Sequence, residues 1–222
     1  MEQTLDMLAS ELLLRLPMMT EEERLLGLEI YRQLSKGEPV STSGLASALK
    51  SPAHELDKLL AHPNLKCLTY ADKEGRIIGF GGLAVSPMPH RFNIDGRRLY
   101  TWCAWDSLFI PIILRHVVDV ESPPPGSTGL VRLRVGPDGI EHAEPEDSVM
   151  SFLLPTAQTF QADALKAIAS FCHYIFFFPN SESATTWTKK HPGTTVISLS
   201  DAFELGRLMV VQRWRAGGGD RG

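Results

Sequence analysis

His90-Arg-Phe-Asn-Ile-Asp95-Gly96-Arg-Arg-Leu-Tyr100 sets two alternating runs, His90–Ile94 and Arg97–Tyr100, on either side of an Asp-Gly pair. Both positions of a two-residue hairpin turn need positive φ, which aspartate tolerates and glycine adopts freely, so the pair marks a tight antiparallel hairpin. Further strand patterns follow at His116–Glu121, at Leu130–Val135 (apolar residues alternating with arginine) and at Val149–Leu154. Ser122-Pro-Pro-Pro-Gly126 between the first two is a loop. Asp163–Ser170 reads as a helix and Tyr174–Phe178 as an aromatic, β-prone run. A helix around Ala184–Lys190, a strand at Thr195–Ser198 and a helix from Asp201 to about Arg213, with Ser200 as its N-cap, complete this half. The pattern is that of an α+β domain with a mixed, largely antiparallel sheet and flanking helices.

Working back towards the N-terminus, Thr20 followed by Glu23 predicts a capping box. Leu25, Leu28, Ile30, Tyr31 and Leu34 then draw an apolar stripe along a helix that Gly37 ends. A short helix after Ser41–Thr42 carries Leu45, Ala46 and Leu49. Another begins with Pro52 at its first position and turns Leu56, Leu59 and Leu60 inward. Strands at Leu65–Tyr70 and Arg76–Phe80, joined by Asp72-Lys-Glu-Gly75, close a winged-helix-like pattern. Pro87 and Pro89 mark the domain boundary. The expected division is an N-terminal helical extension over 1–19, a winged-helix-like domain over 20–84, an α+β domain over 85–215 and a flexible tail over 216–222.

Charge decides against the DNA reading that a winged helix invites. The helix that would enter the major groove, Ala53–Ala61, carries Glu55 and Asp57 against Lys58 alone, and the 222-residue chain has a net charge of −4. Nucleic-acid readers need arginine and lysine to neutralise phosphate, so this segment is expected to cover or gate a site instead. No apolar run approaches the ~20 residues of a membrane span, and the N-terminal residues lack the basic start of a signal peptide. The three cysteines, Cys67, Cys103 and Cys172, are odd in number and far apart, which argues for a reduced, cytoplasmic protein without a disulfide framework.

The chemistry concentrates in Arg97-Arg-Leu-Tyr-Thr101-Trp-Cys103-Ala-Trp-Asp106-Ser-Leu-Phe-Ile-Pro111. A helix starting at Trp102 with Thr101 as its cap would put Cys103 in the first turn, where the helix dipole lowers a thiol's pKa. Asp106 would lie one turn on, among Trp102, Trp105, Leu108 and Phe109, where desolvation raises a carboxyl's pKa and lets it hold a proton. On the residues alone, Cys103 is equally a small buried hydrophobe and Asp106 an ordinary first-turn carboxylate. Cys172, at the end of the predicted Asp163–Ser170 helix, is a second candidate, whereas Cys67 reads as packing on a wing strand. Cys-x-x-Cys, His-Glu-x-x-His, P-loop and Gly-x-Ser-x-Gly motifs are absent. Gly79-Phe-Gly81-Gly-Leu-Ala84 matches a dinucleotide glycine pattern, but Pro87 and Pro89 forbid the helix that must follow it.

Arg-Arg-Leu-Tyr-x-Trp-Cys-Ala-x-Asp over 97–106, with Ser170-Phe-Cys172 before an aromatic run, resembles the bacterial alkylmercury (organomercurial) lyases. The resemblance spans about residues 20–210. It implies that Cys103 is the mercury-capturing nucleophile, Asp106 the proton-handling acid and Cys172 the second mercury-binding cysteine. It also implies an organomercurial substrate, low-molecular-weight thiols, mercuric reductase as acceptor of Hg(II), and no organic cofactor. His173 stands where some members carry a further cysteine, and the Ser122–Gly126 prolines replace another. Thiolates select soft metals, so the residue types fit that chemistry on their own. The rival readings are a thiol-based metal-sensing winged-helix regulator and a non-catalytic soft-metal carrier. A carrier has no need of Asp106.

Overall fold

The computed structural model describes residues 5–14, 18–153 and 171–214. The predicted Asp163–Ser170 helix and the 216–222 tail lie outside the described residues. Helices α1 (Leu5–Leu13), α2 (Glu21–Leu34), α3 (Thr42–Leu49), α4 (Ala53–Ala61) and the single turn α5 (Pro63–Lys66) come first. An eight-stranded sheet follows in the order β1-β2-β3-β5-β4-β6-β7-β8. Its strands are β1 (Thr69–Ala71), β2 (Ile77–Phe80), β3 (Leu83–Ala84), β4 (His90–Ile94), β5 (Arg97–Thr101), β6 (Val118–Ser122), β7 (Val131–Val135) and β8 (Ile140–Glu144), with α6 (Asp106–Leu114) after β5. A second sheet sets β9 (Val149–Leu153) between β10 (Phe177–Phe178) and β11 (Thr194–Ser198). Helix α7 (Ser181–Thr188) follows β10, and α8 (Leu199–Trp214) lies against α6 and α1. Every pairing among the described strands is antiparallel.

The Asp95-Gly96 hairpin forms as its chemistry requires, with φ of 48° and 75° at the two turn residues. Alternation then sorts the two faces. His90, Phe92 and Ile94 of β4 and Val131, Leu133 and Val135 of β7 are buried, while Arg91, Arg132 and Arg134 lie in water and pair with Glu121, Glu144 and Asp119 on neighbouring strands. Those exposed pairs order the outer face without adding much stability. Buried His90 is satisfied by the Ser122 hydroxyl at 2.7 Å, and burial pushes its pKa down to about 4, so it sits in the core uncharged.

Several expectations shift. On α2 the inward stripe is Leu26, Gly27, Ile30, Tyr31 and Leu34, whereas Leu25 is exposed, because the helix turns the residue beside it towards the sheet. The expected strand from Leu65 is replaced at its start by α5: Pro63 presets a helical φ, and Thr69 Oγ1 donates to Leu65 O at 2.8 Å before β1 begins. Cys67 therefore caps α5 instead of sitting on a wing strand, and its thiol donates to Asn64 O. Pro52 is the N-cap of α4 and not its first residue. Of the Tyr174–Phe178 run, Phe177–Phe178 alone is strand; Phe176 O still accepts Ser151 N at 2.9 Å, but Phe176 N turns to the Ser151 hydroxyl at 3.0 Å, which donates to Tyr174 O at 2.8 Å. Helix α8 starts at Leu199, with Ser198 Oγ, in place of Ser200, accepting Asp201 N at 3.0 Å. Strands β3 and β8 have too little alternation to be foreseen: one is two residues long, the other polar and mostly exposed.

The capping box at α2 is present in full. Thr20 Oγ1 accepts Glu23 N at 3.2 Å, Glu23 Oε2 accepts Thr20 N at 2.8 Å, and the buried Glu23 carboxylate also holds Asn64 and His62. Replacing Thr20 by alanine removes one cap acceptor, and denaturant unfolding should report a loss of about 1 kcal/mol, most of it restored by Thr20→Ser.

Candidate active site

Strand β5 ends at Thr101, which faces Leu83 on one side and His90 on the other. The next residue still belongs to the sheet edge, since Trp102 N donates to Gly82 O at 2.9 Å. Cys103, Ala104 and Trp105 then form a tight turn that feeds α6, and Thr101 Oγ1 donates back to Cys103 O at 3.0 Å. The helix thus opens at Asp106, four residues later than the sequence pattern implied. The reason is local: the Asp106 carboxylate, on the first helical residue, accepts Cys103 N at 2.8 Å and so caps its own entry turn. Ser107 Oγ on Ala104 O at 2.6 Å and Leu108 N on Trp105 O at 2.9 Å continue the turn.

The second cysteine reaches the first through the main chain. Ala104 N donates to Ile175 O at 3.3 Å, and Ile175 N to Cys172 O at 3.4 Å, so the loop after Cys172 is docked onto the turn that holds Cys103. As a result the two sulfurs and a carboxylate oxygen of Asp106 all lie within 4.8 Å of one another. All three predicted site residues converge, and Cys67 stays outside their group. His173, next to Cys172, is exposed.

The surroundings are apolar. A cavity of about 130 Å³ is bounded by Leu12 of α1, Tyr31 of α2, Leu68, Gly81–Gly82, Trp102, Trp105, Phe109, Phe171 and, from α8, Met209, Val210, Arg213 and Trp214. Trp105 is fixed in its wall by a 2.8 Å bond from Nε1 to Ala202 O and by edge contacts with Phe109, Phe152 and Phe171. Gly82, with φ of +100°, lies so close that a Cβ there would stand 2.5 Å from the Asp106 carboxyl carbon. Both the backbone conformation and the space exclude a side chain. Its neighbour Gly81 accepts the Tyr31 hydroxyl proton at 2.6 Å. These glycines carry the signal that the rejected dinucleotide pattern concealed, namely two consecutive glycines after a strand where the backbone must approach a buried group.

Burial governs the ionisation here. It raises Asp106 to about 7, against the lowering effect of the Cys103 thiol and N–H. It likewise pushes Cys103 well above the ordinary thiol range, helped by the Cys172 thiol and the negative charge of Asp106. The expected dipole activation of Cys103 is therefore overturned: the residue precedes the helix, is 1% exposed, and rests as a protonated thiol. Two thiols and a carboxyl near neutrality form a soft-ion site with a proton acceptor beside it.

The sequence profile of the alkylmercury lyases matches residues 83–211, more than half of the chain. The chain belongs to the alkylmercury lyase family. The alkylmercury lyase of Bacillus cereus is 37% identical over 182 residues, covering 81% of this chain and 78% of the relative. That of Pseudomonas putida is 34% identical over 190 residues, covering 85% and 84%. The crystal structure of the mercury-bound form of MerB2 shares the fold with a TM-score of 0.71 at 21% identity, over 94% of this chain and 98% of that one. As an alkylmercury lyase the protein cleaves the carbon–mercury bond of an organomercurial, and among its described residues no helix is long and apolar enough to cross a membrane.

The raised Asp106 pKa has a consequence for stability. The folded form binds a proton that the unfolded chain releases between pH 3.8 and about 7. Stability attributable to this group is therefore present in acid and is lost as pH rises through that window, by on the order of 1.4 kcal/mol per pH unit. Denaturation midpoints of wild type relative to Asp106→Asn should fall with pH across the window and level off above it.

Proposed function

We propose that Cys103 captures the mercury of the substrate, Cys172 binds it as second sulfur, and Asp106 moves the proton that cleaves the bond. The observation that carries this reading is the convergence of two thiols and one buried carboxyl within 4.8 Å inside an apolar cavity. The substrate arrives as R–Hg–SR′. One protein thiol displaces R′S⁻, which leaves as R′SH with that thiol's proton. The second thiol then adds to mercury and passes its proton to Asp106. Two sulfurs donating to mercury load electron density into the Hg–C bond, and Asp106 delivers the proton to carbon. The bond's electron pair goes into the new C–H bond, giving RH and Hg(II) shared by the two cysteines.

A group that must both take and give the same proton works best with a pKa near the working pH, which is where burial puts Asp106. Because Cys103 rests as a thiol, its proton must leave as mercury binds. The dry cavity keeps water from competing for the proton and from solvating the carboxylate. Low-molecular-weight thiols, or the dithiol of a mercuric reductase, would then withdraw Hg(II) by exchange. Cys67, Cys103 and Cys172 form no disulfide, which suits a reducing compartment, and we place the enzyme in the cytoplasm. In this scheme residues 20–84 cover a catalytic unit formed by 85–215, and the helix within 1–19 closes the cavity through Leu12.

Headspace methane from methylmercury, measured with excess 2-mercaptoethanol, tests the roles together. Wild type should release methane over many turnovers. Cys103→Ser, Cys172→Ser and Asp106→Asn should each lose it by a factor on the order of 10² to 10⁴, while Asp106→Asn still binds Hg(II). Turnover surviving in Asp106→Asn would remove the carboxyl from the mechanism.

A further inference from the structure

We infer that Arg213 seats a carboxylate carried into the cavity by the substrate, either on the organic group of the mercurial or on the thiol bound to its mercury. The inference rests on the lyase reading above and names a specificity-determining residue for it. Arg213 lies in the last turn of α8 and lines the same cavity as Cys103, Asp106 and Cys172. Its neighbour Trp214 holds that turn in place: the indole packs edge-on against Tyr31 at 5.3 Å and Phe80 at 6.3 Å, and Arg24 donates to Trp214 O at 3.3 Å.

The guanidinium is incompletely matched. Its Nη2 is buried and bonds to no acceptor, and among the described residues no carboxylate pairs with Arg213. Arginine stays charged in proteins, and a desolvated cation with an unmet donor costs free energy until an anion meets it. Asp106 is not that anion. Its carboxyl is engaged by Cys103 N, and the Tyr31 phenol feels both charges, raised first by burial and then by Asp106 and lowered by Arg213. The cation thus lines the cavity with its charge unmet by a carboxylate among the described residues.

The organic group on a mercury held by Cys103 and Cys172, and the thiol on that mercury before a protein thiol displaces it, both occupy the cavity that Arg213 lines. The rest of the wall includes the apolar Leu12, Leu68, Met209 and Val210, and its other unmatched donor, Trp102 Nε1, is a neutral N–H that cannot balance a carboxylate's charge. A carboxylate matches the planar fork of a guanidinium with two parallel bonds, and its single charge neutralises the site. A dianionic phosphate would bring surplus charge and a tightly held hydration shell into an apolar space of about 130 Å³.

The test compares KM and kcat for 4-carboxyphenylmercury and phenylmercury with 2-mercaptoethanol as thiol, then for phenylmercury with 3-mercaptopropionate against 2-mercaptoethanol. In wild type, one of the two carboxylates should lower KM on the order of tenfold or more, the strength of a charge-assisted pair. A preference in the first comparison assigns the seat to the mercurial's organic group, and in the second to the thiol. Arg213→Met should bring that KM ratio close to one, and Arg213→Lys should keep part of it. A wild-type ratio near one in both comparisons overturns the proposal without any variant, as does a ratio that Arg213→Met leaves unchanged. Turnover of phenylmercury itself reports on the lyase reading, so failure of one is distinct from failure of the other.

Discussion

The bond from Cys103 N to the Asp106 carboxylate is the contact around which this molecule is organised. A carboxyl enclosed by aromatic rings needs donors, and the nucleophile itself supplies them, through its main-chain N–H and its thiol. That requirement delays the start of α6 to Asp106 and forces Cys103–Trp105 into a tight turn. It also requires a backbone surface with no side chain against the carboxyl, which Gly82 supplies from the β2–β3 turn. The N-terminal helices are consequently not a separate appendage. Tyr31 of α2 grips Gly81, and Gly81–Gly82 join the wing-like strands to the sheet that carries the site.

A second constraint is the main-chain bond between Ala104 and Ile175. It makes the position of Cys172 depend on the turn at Cys103, although the two cysteines lie far apart in the chain. The two thiols also hydrogen-bond each other, and that of Cys103 reaches Asp106. Each is placed by backbone whose conformation answers to the other, which is an economical way to keep two soft ligands within reach of one ion.

Much of this was legible in the residues. The Asp95-Gly96 hairpin, the alternation in β7 and the Thr20–Glu23 cap are local devices whose chemistry is complete within a few positions, and each formed as expected. Cys103 and Asp106 could be named as a pair because their spacing and aromatic setting are local too. What could not be read depends on contacts between distant segments. The helix start at Asp106 is set by a side chain reaching backwards against helix periodicity, and the Cys103 pKa by a cavity that seven segments close. Arg213 lies at the end of a helix whose sequence shows only an ordinary basic last turn, and its cavity-facing position follows from the packing of Trp214. Dipole arguments favoured a thiolate at Cys103. Desolvation, the larger effect in a dry site, reversed the sign.

That reversal bears on how long such an enzyme lasts. Peroxide and other oxidants attack the thiolate, and susceptibility follows thiolate character and exposure. Cys103 has neither at rest, being protonated and enclosed. A sulfur made reactive by a depressed pKa would stand beside Cys172 as half of a ready disulfide, or proceed to sulfinic acid. Here reactivity is conferred by the arriving soft cation, which displaces the proton that water and oxidants leave in place. The same burial that brings Asp106 to about 7, where it can take a proton and return it, therefore shelters the nucleophile from oxygen chemistry between turnovers.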